Sequence, residues 1–233
     1  MKNVVLLIHG MWQEGVPAHY IEAADNVIQE LLLELRLETK IIHGFGGTEG
    51  SAYNRTMFGQ VNELVTAAAG SAVAKGFAPG QLDISVTVNA LAHQWEASRN
   101  QDEMFFLIVN DDYAVEHNGT IEEFIFGCSR PPAASTVSTF RFQNDPRITD
   151  RVGLFKLMVA HEFGHLIGAP DEERGEALVS HLGMHCTNPC VMQQRDDLPD
   201  FERDVLPLLH GKHLFCDLCT RDIRAYMELL LTA

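Results

Sequence analysis

The stretch that decides the reading is HEFGHLIGAPDEERGEALVSHLGMHCTNPC, residues 161–190. His161 and His165 stand four positions apart in the apolar run GLFKLMVAHEFGHLI (153–167). Four residues advance a helix by about 400°, so both imidazoles point to one side, one turn apart. That spacing lets two neutral imidazoles grip one Zn²⁺. Glu162, beside the first of them, can reach a metal-bound water as general base. Leu157, Met158, Val159, Ala160, Phe163, Leu166 and Ile167 make the helix apolar and buried. Ionisable groups are costly there unless paired or bound to metal. The helix starts near Thr149 or Asp150, either of which can cap it. Gly168 can end it in a left-handed conformation and turn the chain back towards the metal. A catalytic site needs a third protein ligand, and Asp171 and His185 compete for that place.

Five cysteines are present: Cys128, Cys186, Cys190, Cys216 and Cys219. Cys128 stands alone and reads as a small buried hydrophobe. The other four form two close pairs. In a reducing compartment such clusters favour metal over disulfides, and four thiolates make a closed tetrahedral site. Two disulfides are the rival reading, but Cys216 and Cys219 are too close to close a useful loop.

HExxHxxG opens the metzincin signature, which this sequence resembles. Six residues after the second His, where most metzincins carry a third ligand, stands Asp171. HCTNPCVM (185–192) followed by CDLC (216–219) resembles the archaemetzincins, in which a zinc-binding His is followed at once by Cys. DDY (111–113), FIFGCS (124–129) and STVSTFRF (135–142) extend the resemblance, which covers about residues 105–220. It implies a zinc metallopeptidase with two zinc ions per chain. His161, His165 and His185 would hold the catalytic one, and Cys186, Cys190, Cys216 and Cys219 the structural one. It also implies that Met192 forms an apolar base under the ligand cage, and that an edge strand pairs with extended substrate. STVSTFRF is the candidate for that strand.

The chain departs from the pattern in one place. His185 lies 17 residues beyond Gly168, so APDEERGEALVSHLGM is inserted or remodelled. Spacing points to Asp171, whereas the His-Cys junction points to His185. If Cys186 holds the structural zinc and Met192 forms the turn, the third ligand belongs beside both, which favours His185. Asp171 would then cap the acidic insert, with DEER beginning a short helix. His181 is a weaker third candidate. His210 and His213 read as solvated loop residues.

Outside this region the elements are simpler. VVLLIH (3–8), KIIHGF (40–45), LDISVTV (82–88) and MFFLIV (104–109) read as strands. Residues 20–36 and about 57–73 read as helices, the second ending towards Gly76, and a further helix is expected near 220–231. A loop holding Asp111, Asp112, Asn118 and Gly119 follows the strand at 104–109. The expected fold is α+β and metzincin-like: a mixed, twisted sheet with packed helices, a zinc helix carrying HExxH, and an irregular zinc-bound C-terminal part. One catalytic domain spans 1–233, with subdomains of about 1–168 and 169–233.

Composition bounds the function. The chain has 233 residues, 46% hydrophobic and 21% charged, with net charge −15. That balance argues against nucleic acid and anionic membranes, which need clustered Lys and Arg. The N-terminal apolar run is interrupted by His9 and Gly10 and reads as a strand rather than a signal peptide or membrane span. The protein is expected in the cytoplasm, with no room for a long propeptide before the first strand. Its expected partner is a peptide or protein substrate, and no motif speaks to oligomeric state. The alternative to a peptidase is a catalytically weak, zinc-stabilised peptide-binding module. VVLLIHG also resembles the first strand of α/β-hydrolases, but no GxSxG elbow follows.

Overall fold

The computed structural model describes residues 6–36, 39–40, 52–98, 103–180, 182–195, 197–211 and 213–232. Its centre is a five-stranded sheet. Strands β1 (Leu6–Trp12), β2 (Thr39–Lys40), β4 (Glu103–Val109), β7 (Gly127–Arg130) and β8 (Ala134–Ser138) lie in the order β2-β1-β4-β8-β7. The first four of that order run parallel, and β7 closes the edge antiparallel to β8.

Strand β4 shows why the sheet is covered on both faces. Its side chains alternate between two cores: Met104, Phe106 and Ile108 face one, Phe105, Leu107 and Val109 the other. A strand buried on both sides must be a continuous apolar run, and MFFLIV is one. Helices α1 (Ala18–Leu35) and α5 (Arg151–Leu166) cover the first face, and α2 (Ala52–Lys75) and α3 (Ile84–Ser98) cover the second. Helix α1 buries Tyr20, Ala23, Ala24, Val27, Ile28, Leu31, Leu32 and Leu35, the stripe its spacing predicts.

Four sequence expectations are corrected. Residues 82–88 are not a strand: only β3 (Gln81–Asp83) is extended, and Ile84 begins α3. Ile84, Val88, Leu91 and Ala92 are buried at i, i+4, i+7 and i+8, a helical period that outweighs the alternation of Ile84, Val86 and Val88. Asp83 Oδ1 accepts from the Ser85 N–H at 3.1 Å and secures the helix start. STVSTFRF is neither one strand nor an edge. Its first half is β8, between β4 and β7, and Phe140–Asn144 is a short helix, α4. The edge is β7, the GCSR segment.

The expected loop after 109 is a hairpin of β5 (Asp112–His117) and β6 (Thr120–Ile125), paired with β3 in a second sheet. Asn118 and Gly119, at φ 52° and 78°, make its turn, a pairing that Asn-Gly favours. DEER does not start a helix: Asp171 Oδ1 accepts from the Glu173 N–H in a tight turn. Of KIIHGF, only Lys40 falls within the described residues.

After α5 the chain forms a small hairpin, β9 (Leu178–Ser180) and β10 (Met184–Cys186). Helix α6 (Leu198–Val205), a 3₁₀ turn (Leu206–His210) and α7 (Asp217–Thr232) follow. Among the described residues no helix is long and apolar enough to cross a membrane.

Candidate metal centre

Helix α5 carries the first part of the site. Asp150 caps it, accepting from the Gly153 N–H at 2.8 Å. The helix then runs through the core so that His161 and Glu162 are each only 5% exposed. At its end the Gly168 N–H bonds the His165 carbonyl, and Gly168 itself sits at φ +94°. A side chain there is excluded twice, by the backbone and by Tyr226, whose Cγ would lie 2.3 Å from a Cβ.

The hairpin β9–β10 returns the chain to the helix and brings His185 to the pair. Its ring centroid lies 5.2 Å from that of His161 and 5.1 Å from that of His165. One ring nitrogen from each of the three lies within 4.8 Å of the others. Asp171 is exposed and outside this group, and its backbone N–H is tied to Asp222. His181 lies outside the described residues, and His210 and His213 are exposed elsewhere, the latter against Glu34.

The three rings suit a cation. His161 Nδ1 bonds the Val191 carbonyl at 2.8 Å, and His165 bonds the backbone of Ala169. Burial pushes the His161 pKa down to about 4, and burial with its His neighbours holds His165 well below the usual range. Both rings are therefore neutral at pH 7. With each proton directed outward, the two Nε2 lone pairs face each other at 3.1 Å. That contact is repulsive unless a positive charge lies between them. Metal–nitrogen bonds of about 2.0–2.1 Å in a tetrahedron set neighbouring nitrogens about 3.3 Å apart, close to the separation found.

Glu162 projects beside the rings into a cleft of about 850 Å³ lined by all three histidines, Glu162, β7 and Tyr226. Two residues of the FIFGCS segment (124–129), for which the sequence alone suggests no role, hold it there. A Cβ on Gly127 would lie 2.5 Å from Glu162 Cγ, so only glycine leaves room for the carboxylate arm. Ser129 Oγ lies 2.7 Å from Glu162 Oε2 and donates to it. Burial pushes the Glu162 pKa up to about 8, against the pull of that hydrogen bond. Nothing in a lone Ser or Gly marks such a role in sequence. Cys128, half-buried between them, is in neither cluster, and burial with the Glu162 charge pushes its thiol up to about 12.

Beneath α5 lies the turn Cys190-Val191-Met192. Met192 is fully buried, and a Cβ on Gly164 would meet its Sδ at 2.4 Å. The Val191 carbonyl holds His161, and the Met192 carbonyl accepts from the Cys186 N–H at 2.9 Å.

Cys186, Cys190, Cys216 and Cys219 form the second group, with no disulfide among them and their sulfurs all within 4.8 Å. Cys186 and Cys216 sulfurs are 3.8 Å apart, those of Cys190 and Cys219 3.9 Å. A disulfide would need about 2.05 Å, whereas a tetrahedral ion with bonds of about 2.3 Å to sulfur sets them about 3.8 Å apart. A hydrogen bond from the Cys219 side, outweighing burial, brings the Cys190 pKa down to about 6, and burial raises that of Cys186. The donor set suits a soft divalent ion.

A mixed sheet with helices on both faces makes this an α+β fold, with a cysteine cluster near the C-terminus. No family model matches the chain, and no curated protein matches it in sequence. Among solved structures it is similar to the archaemetzincin from Methanopyrus kandleri, with a TM-score of 0.60 over 98% of each chain. Identity is 16%, so the likeness is one of fold.

Proposed function

We propose that this protein is a zinc metallopeptidase that hydrolyses peptide bonds, as the archaemetzincin-like fold suggests. One observation carries the reading: three imidazoles converge beside a buried carboxylate, and all four side chains line an open cleft. His161, His165 and His185 would hold a catalytic zinc, and Cys186, Cys190, Cys216 and Cys219 a structural one. Bound there, zinc would supply Lewis acidity, activating water and polarising the scissile carbonyl. The charge of a cation held by the rings would favour the ionised carboxylate against the burial that raises its pKa, and Glu162 would then act as general base, taking a proton at its carboxylate and passing it to the departing amine. Ser129 orients that carboxylate, and Val191 and Ala169 fix the rings. The antiparallel edge strand β7 offers free backbone groups to an extended peptide. The chain acts as one catalytic domain, its residues 169–233 supplying His185 and the cysteines.

Cleavage of a broad peptide library tests this, with Glu162→Ala as control. Wild type is expected to cut, and the variant to lose activity while keeping its metal. Equal inactivity of both across the library would leave a zinc-stabilised peptide-binding module instead.

A further inference from the structure

Arg174 is an unusual residue to find inside the C-terminal part. It belongs to the 169–184 segment, the part of the chain that departs from the metzincin pattern, yet its side chain is only 1% exposed. Burying a guanidinium is costly unless its donors are met, and here they are. Nε bonds the Glu176 carbonyl at 2.9 Å and Nη2 the Ala177 carbonyl at 2.7 Å. Nη1 bonds Asp222 Oδ2 at 2.9 Å and lies 3.5 Å from Cys219 Sγ. The Cys186 sulfur is also within its reach.

The other sulfurs have N–H donors too. Cys186 takes the Asn188 backbone N–H at 3.4 Å, and Cys216 the Asn188 side-chain amide at 3.6 Å. Cys190 takes the backbone N–H groups of Cys216 and Met192. Those donors are neutral and local to the cysteine turns. Arg174 differs in being charged and in coming from a separate segment. Four thiolates around a divalent ion carry a net 2−, and a cation donating to sulfur disperses that charge.

The same guanidinium ties the remodelled segment down. It grips two carbonyls of that segment, and Asp222 Oδ2, its partner on α7, also accepts from the Asp171 N–H at 3.1 Å. The Ala177 carbonyl accepts in turn from the Thr187 N–H, just after His185 and Cys186. One buried cation therefore touches the sulfur cluster, the segment before His185 and the C-terminal helix.

We infer that Arg174 is a positioning residue for the tetrathiolate site: its N–H groups stabilise the cysteine sulfurs as metal ligands and fasten the 169–184 segment to them. This rests on the reading that the four cysteines hold a metal. The consequence is that the segment leading to His185 is ordered by the thiolate-bound ion through Arg174.

The test uses full-length protein loaded with Co²⁺, whose thiolate-to-cobalt absorption reports the cysteine site and not the histidine site. Band energy and the rate of loss to excess EDTA are measured for wild type, Arg174→Gln and Arg174→Lys. Removing a charged N–H···S donor raises the energy of the sulfur electrons. Arg174→Gln is therefore expected to move the band to longer wavelength and to speed cobalt loss about 10-fold or more. Arg174→Lys, which keeps the charge without the fork, is expected to fall between and covers the case in which the Gln variant fails to fold. A band and a loss rate equal to wild type in either cobalt-loaded variant would overturn the inference. Absence of thiolate–cobalt absorption from wild type would instead contradict the tetrathiolate reading beneath it.

Discussion

Gly127 and Gly164 do at the residue scale what no side chain can. Gly127 leaves the space that Glu162 occupies, and Gly164 leaves the space for Met192 and Phe215 under the histidine-bearing helix. Gly127→Ala should push the Glu162 arm off its position. Peptide cleavage is expected to fall roughly 100-fold, as a misplacement of about 1 Å can cost that much, with metal content unchanged. Kinetics and elemental analysis on the same preparation check this. Gly164→Ala should act on stability instead, because its Cβ meets buried Met192 at 2.4 Å and Phe215 at 2.8 Å. Overpacking costs about 1–3 kcal/mol, so thermal unfolding should show a Tm lowered by several degrees. His161, Glu162 and His165 are legible in the sequence because their spacing is itself a statement about one helix face. Gly127, Ser129 and Arg174 are not, because their roles depend on which distant segment they meet. Between Asp171 and His185 the sequence offers two spacings. What separates them in space is a hairpin that folds the long insert back and carries His185 to the pair.

At the scale of elements, the legible ones are those whose period is unambiguous. α1 and β4 stand close to their expected bounds because their apolar patterns fit only a helix and only a doubly covered strand. LDISVTV misleads because Ile84 and Val88 satisfy both periods, and the choice falls to Asp83. That carboxylate caps α3 and also bonds Ser71 at 2.7 Å and Lys75 at 2.7 Å on α2, so it joins two helices to one strand. Burial alone would raise its pKa. Hydrogen bonds from Lys75 and Ser71, with the Lys75 charge, outweigh burial and hold it below the ordinary range. A depressed carboxyl pKa adds stability above the unfolded value of about 3.9, and that stability is lost as pH falls through the folded value. Lys75→Met should therefore lower Tm at pH 7, with the gap to wild type closing as pH falls below about 4. Thermal melts across pH 3–7 read this directly, and a gap that stays constant to pH 3 would mean the pair contributes nothing through Asp83.

Across the whole molecule, the sheet and its two helical layers set α5 against β7 and β8, while the C-terminal part brings His185 to the two histidines of α5 and gathers the four cysteines. The turn at Cys190–Met192 links them: Val191 holds His161, Met192 supports α5 and bonds Cys186, and Cys190 joins the sulfur cluster. His185 and Cys186 are neighbours on β10, so one short strand serves both groups. This coupling was partly legible, since HC followed by CVM places the residues together in sequence. The edge strand was not, because FIFGCS and STVSTFRF are both β-prone, and only the sheet order shows which lies outermost. The most direct measurement is metal per chain, by elemental analysis, on wild type, His185→Ala and Asp171→Ala purified side by side. The proposed sites predict about two zinc ions for wild type and for Asp171→Ala, and about one for His185→Ala. Loss of zinc from Asp171→Ala with His185→Ala unchanged would contradict them.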